Sequence, residues 1–171
     1  ETIVATVDED DIETKYSTGT SPRDGADEDK SYTGDTWFEE PGPATVSGYL
    51  DGLVDFGVDS RWHDARFSID DTPEVLNTLS KLTSNGDPIS YAVRFGTLYG
   101  YVDNPEGGSA SGEDDRVVFT LEVSSSGYYS FKLFGQLDHV APGSGADENL
   151  TLRPGITTIN FGAVIKATDY D

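Results

Sequence analysis

The chain has 171 residues, 32 acidic and 11 basic side chains, a net charge of −21 and no cysteine. That length suits a single domain able to bury a sizeable core. The charge excludes nucleic acid and anionic membrane surfaces as partners, because both would be repelled. The lack of cysteine excludes disulfides, thiolate metal sites and a cysteine nucleophile.

A field of this strength suits a chain that takes up metal cations, or one adapted to stay soluble in salt. Without cations, self-repulsion works against the compact state. Methionine is absent throughout, including at position 1, so the chain reads as a segment of a longer protein, with any export signal outside it. No apolar run approaches the roughly 20 residues of a membrane span, and no membrane insertion is expected.

In chain order, "TIVATV" (residues 2–7) alternates well enough for a first strand. Residues 1–11 are expected to form that strand and a joint. The acidic stretch 12–43 follows as a long loop or insertion, too poor in apolar residues for a core of its own. The first 40 residues carry 13 acidic and 3 basic side chains. From residue 44 to 171 the text changes to short β-rich runs: "ATVSGYL", "GLVDFGV", "ARFSI", "ISYAVRF", "TLYGYV", "RVVFTLEV", "YYSFKLF" and "ITTINFGAVIKAT".

The separators include "SNGDP", "NPEGGSASGEDD" and "PGSGAD". Two others read as hairpins: "FGT" joins 89–95 to 97–102, and "SSSG" joins 116–123 to 128–134. Many short strands at this spacing predict an all-β antiparallel sandwich or barrel. "DTPEVLNTLSKL" predicts one short helix, with Asp71 or Thr72 as cap, Pro73 at the first helical position and Glu74 at the positive end of the dipole. Val75, Leu76, Leu79 and Leu82 recur at helical spacing and are expected in the core.

Enzymatic motifs are lacking. There is no G-x-S-x-G elbow, and only His63 and His139 could act as a histidine base. "WHD" and "LDH" place a carboxylate beside each ring, but neighbouring strand residues point to opposite faces, so neither pair is a good dyad. Zinc-ligand spacing is absent too. Calcium fits better, since it needs several oxygen ligands on a flexible loop. Asp8, Glu9, Asp10 and Asp11 follow the first expected strand, and Asp169 and Asp171 follow the last. Asp27 and Asp29 lie in a second acidic cluster, "RDGADEDK", and "SGEDDR" is a third. Each cluster taken singly also reads as a solvated loop. Trp37 and Phe38, with Tyr16, Tyr32 and Trp62, read either as an aromatic platform for a sugar or peptide, or as edge cover and core packing.

"VDEDD", "ATVSGYLDGLVDFGVDS", "LTSNGDPISYAV", "GTLYGYV", "VVFTLEVSSSGYYSFKLFGQLDH", "ADENLTL" and a closing "FGAVIKATDYD" occur in that order. This series resembles the repeat unit of very large bacterial RTX adhesins exported by type I secretion, over residues 44–171 and, in the front section, only at "VDEDD". The resemblance implies an immunoglobulin-like β-sandwich strung end to end with adjacent domains of the same chain, on the bacterial cell surface. It implies calcium at the joints, with Asp169 and Asp171 matching an acidic family ending that is cut short here. It also implies a non-catalytic role in cell adhesion and biofilm, as an extender or framing unit; the alternative is a calcium-dependent module that binds a host or surface glycan or peptide. "LDH" then becomes a structural corner. Asp138 and His139 are expected to bond local backbone groups and hold the loop leading to Asp147 and Glu148.

Overall fold

A computed structural model describes residues 3–7, 12, 43–50, 53, 66–104, 115–140, 151–153 and 155–168. Its centre is a five-stranded antiparallel sheet in the order β1-β8-β7-β6-β5. The strands are β1 (Ala44–Tyr49), β5 (Ser90–Arg94), β6 (Thr97–Val102), β7 (Arg116–Val123) and β8 (Tyr128–Leu133). The other described strands form two smaller ladders: β2 (Arg66–Ile69) with β9 (Ile165–Thr168), and β3 (Thr83–Ser84) with β4 (Asp87–Pro88). Among the described strands the sheet does not close into a barrel.

Period-2 alternation decides which face of the sheet is buried. In β6, Leu98, Gly100 and Val102 are buried, while Thr97, Tyr99 and Tyr101 between them are not. Leu98 pairs with Leu121, Gly100 with Phe119, Leu121 with Phe131 and Phe119 with Leu133, so one continuous apolar face runs across the sheet. Gly100 is a requirement of this face. A Cβ there would lie 2.5 Å from ring atoms of Phe119. Just beyond it the register slips, leaving Val118 as an extra residue opposite the Gly100–Tyr101 step. Such a bulge re-aims a side chain, and Val118 is fully buried in the same core. Phe161, from the segment ahead of β9, lies 5.8 Å from both Phe119 and Phe131 between ring centres.

Both expected hairpins form. Phe95 and Gly96 make a two-residue turn with φ of 52° and 80°, the type I′ signature that matches strand twist. In the β7–β8 turn the Ser124 Oγ accepts the Tyr128 N–H at 3.0 Å, and Gly127 takes φ 84°. The N-terminal end of β2 docks on that turn through Phe67 N–H to the Ser125 carbonyl at 3.1 Å. The separator "SNGDP" holds a third hairpin. Asn85 and Gly86, at φ 55° and 87°, join β3 to β4.

Other expectations need correction. Residues 3–7 belong to no strand; Ile3 and Val4 are exposed and only Val7 packs on the core. Alternation makes a strand only where a neighbouring edge takes up its hydrogen bonds, and no described ladder includes this segment. The run 156–168 is a strand only over its last four residues. Before that, Asn160 Oδ1 accepts the Gly162 N–H at 2.8 Å, a side-chain turn that diverts the backbone from extended pairing. The helix, α1, covers just Pro73–Leu76. Thr78 Oγ1 donates to the Val75 carbonyl at 2.7 Å, and the Thr78 N–H also bonds Val75 three residues back. Such local bonds compete with helix propagation. Leu79 and Leu82 still reach the core, but from outside the helix. Of "GLVDFGV", only Leu53 lies among the described residues.

Candidate functional site

The densest polar junction among the described residues gathers around Asp138. The chain leaves β8 through Phe134 and Gly135, whose N–H groups both bond to the carbonyl of the bulge residue Val118. This doubled contact turns the backbone toward the β3–β4 hairpin. There the Asp138 N–H bonds the Thr83 carbonyl at 2.9 Å, and Asp138 Oδ2 accepts the Gly86 N–H at 2.8 Å. Ser84 Oγ donates to the Gln136 carbonyl at 2.6 Å. From β7, Arg116 grips the same serine, Nη1 on its Oγ at 2.8 Å and Nη2 on its carbonyl at 3.0 Å. On the far side the Arg153 N–H bonds the Asp138 carbonyl at 2.8 Å, and Arg153 Nε bonds that of His139 at 3.1 Å.

Burial by itself would push the Asp138 carboxyl up. The Thr83 hydroxyl, the Gly86 and Asn85 N–H groups and the Arg153 charge outweigh it and hold the group below the usual carboxylate range. Thr83 Oγ1 itself is buried and has no hydrogen-bond partner that meets full geometry. The expectation of a structural corner therefore holds for Asp138, with one change. Its side chain bonds a turn 52 residues away, where local backbone partners were expected. His139 takes part through its backbone, bridging to Leu152 and accepting from Arg153. Val140 N–H bonds the Thr151 carbonyl at 2.8 Å; Asp147 and Glu148 lie outside the described residues.

A second carboxylate anchors the smaller ladder. Asp70 Oδ2 meets Lys166 Nζ at 2.7 Å, and Asp70 Oδ1 accepts the Thr72 N–H at 2.9 Å. The Lys166 hydrogen bond first, and the Thr72 N–H next, bring the Asp70 carboxyl down to about 2. Asp70 thus does the capping expected of Asp71 or Thr72, and Thr72 is the N-cap by backbone only. An aspartate two residues ahead of the N–H it accepts is an Asx turn, so "DDTP" carried the signal. For Arg116 and Ser84 no sequence signal existed, because their meeting depends on the fold.

An open cleft of about 560 Å³ lies beside the hairpin, lined by Asp87, Ser90, Val102, Asp103, Asn104 and Arg116. With the Arg116 guanidinium engaged on Ser84, Asp87 and Asp103 give this cleft a negative bias. On the outer sheet face Arg94 lies over Tyr99 and Tyr101, at 5.9 and 5.8 Å from the ring centres, and 3.8 Å from Asp115.

The residues expected to bind calcium, Asp8, Glu9, Asp10, Asp11, Asp27, Asp29, Asp169 and Asp171, lie outside the described residues, as do Trp37, Phe38 and Trp62. Among the described residues no three metal-ligating side chains gather into a group, and no helix is long and apolar enough to cross a membrane. No protein-family model, curated protein or solved structure matches the chain.

Proposed function

We propose that the chain is a non-catalytic, calcium-binding module of a secreted bacterial surface adhesin, an immunoglobulin-like β-sandwich that extends or frames the adhesive rod. The observation that carries this reading is the Asp138 clamp. Its carboxylate belongs to "QLDH" and its partner Gly86 to "LTSNGDP", so two segments of the adhesin-like series are bolted to one another. An aspartate committed to a remote turn is a framing element. The stack of Phe161 on Phe119 and Phe131 supports a second layer over the large sheet, as a sandwich requires. The net charge of −21 supports cation uptake: calcium at the terminal acidic clusters would relieve self-repulsion and couple folding to the calcium outside the cell.

The test is thermal melting with and without EDTA, followed by re-addition of calcium or magnesium. Chelation is expected to lower the melting temperature, and magnesium to restore it poorly, because it holds its waters and demands a small octahedral cage. At ligand about 100 times its dissociation constant the stabilisation would be roughly 2.7 kcal/mol per site. An unchanged melt in EDTA would refute the calcium role. A second reading, a glycan- or peptide-binding module, draws on Tyr49 and Tyr128, both exposed and packed edge to face at 5.3 Å. A glycan array with and without calcium separates the two.

A further inference from the structure

The chain has five asparagines, and only Asn85 is followed by glycine. Such a pair is chemically vulnerable, because Gly86 has no Cβ to hinder approach of its amide nitrogen to the asparagine side chain. Both residues are exposed to water. In the reaction available to them, the Gly86 nitrogen loses its proton and attacks Asn85 Cγ. The N–Cγ bond forms, the Cγ–Nδ2 bond breaks, and the side-chain nitrogen leaves as ammonia with the displaced proton. A cyclic imide remains. Water then opens it at either carbonyl, giving aspartate or its isomer in which the main chain runs through the side-chain carbon.

The turn opposes this chemistry in two ways. Asn85 has φ 55°, and the left-handed conformation pairs that angle with ψ near about +47°. The Gly86 nitrogen then lies nearly anti to the Asn85 Cβ about the Cα–C bond, whereas ring closure needs the two nearly eclipsed. The Gly86 N–H is also donated to Asp138 Oδ2 at 2.8 Å. Rotating the peptide into the reactive arrangement would pull that N–H off the carboxylate and break the Ser84–Asp87 pairing.

We infer that Asn85 is a latent self-modification site, a deamidation site that Asp138 holds shut from the opposite side of the corner. The isoaspartate product cannot return to the clamped turn, whereas the aspartate product keeps a backbone that suits it. Either one sets a new carboxylate near Asp87 and Asp138, and the isomer adds a main-chain atom to a two-residue turn. Modification to the isomer therefore runs one way, from a bolted corner to a released one.

The test incubates the folded protein in mildly alkaline buffer and follows conversion of the Asn85 amide to acid and isoaspartate by peptide mapping and mass spectrometry. Wild type, Asp138→Asn, Asp138→Ala and urea-unfolded wild type are compared. Folded wild type is expected to be slowest and the unfolded chain fastest. Asp138→Ala should react about tenfold faster than wild type, the scale of losing one charge-assisted hydrogen bond, with Asp138→Asn between them. A folded wild type that reacts as fast as the unfolded chain would overturn the inference. So would a slower Asp138→Ala, which would make Asp138 a base for the reaction. If circular dichroism shows Asp138→Ala unfolded, the folded-against-unfolded comparison and Asp138→Asn decide the matter.

Discussion

Gly100→Ala is a sharp perturbation of the core, because the added atom has a known place to go. Its Cβ would stand 2.5 Å from Cε1 and Cζ of Phe119 and 2.9 Å from Cδ1, well inside the roughly 3.5–4.0 Å of a good carbon contact. Relief requires Phe119 to retreat, yet that ring is fully buried and touched by Tyr91, Phe131 and Phe161. Overpacking costs typically about 1–3 kcal/mol, and the blocked retreat puts this site at about 3 kcal/mol. For a chain of this size that is a drop of roughly 6–12 °C in melting temperature. Phe119→Leu removes the outer ring atoms that cause the clash, at its own cost in lost packing. The double variant should then be less destabilised than the sum of the two singles, with a coupling of about 1 kcal/mol or more. Urea melts of the four proteins measure it. Additive losses, or a harmless Gly100→Ala, would refute the close approach of β6 to the Phe119 ring.

Asp70→Asn should cost stability at neutral pH and little at low pH. The folded carboxyl lies at about 2, below its unfolded value near about 3.9, so its contribution is complete above the unfolded value and lost as pH falls through the folded one. Melts at neutral pH and near about pH 2 should show the gap between wild type and variant closing, and a pH-independent gap would contradict the Lys166 pairing. Arg116→Lys keeps the charge but cannot repeat the two-pronged grip on Ser84, and should cost about 1–2 kcal/mol in a urea melt. A neutral outcome would mean that the grip adds nothing to stability. Asp138→Ala should destabilise by a similar ~1–2 kcal/mol, moderated because the carboxylate is partly exposed, and Asp138→Asn by less, since its amide oxygen can still accept the Gly86 N–H. Equal losses in the two variants would show that charge matters at the clamp.

Where pairing is local and alternation is clean, the strands could be read directly. The hairpins at Phe95–Gly96 and Ser124–Gly127 form as expected, since each turn residue and its flanking strands lie in one short window. Asn85–Gly86 carried an equally strong signal, but its strands are only two residues long and alternate too briefly to be seen. In "ITTINFGAVIKAT" β-propensity runs along the whole segment, but Asn160 and Gly162 turn the backbone and leave only its last four residues as strand. At the Asp138 corner, chemistry was legible and address was not. A carboxylate after a hairpin plainly needs donors, but nothing local names Gly86. Arg116 and Ser84 were invisible for the same reason: their meeting is a property of sheet order.

That order also sets a timetable for folding. β5, β6, β7 and β8 are consecutive partners, whereas β1 must find β8, residue 44 beside 133, and β2 must find β9, residue 69 beside 165. Closing such long loops costs entropy before any contact rewards it, and pairings of this range slow folding. The meander can assemble alone; the outer strands wait. A chain delivered N-terminus first can close β1 on β8 once residue 133 has arrived, while β2 waits for residue 165; delivered the other way, β2 closes before β1. Removing residues 165–168 should accordingly leave β2 unpaired while the meander survives, and hydrogen exchange along β2 would register whether it does.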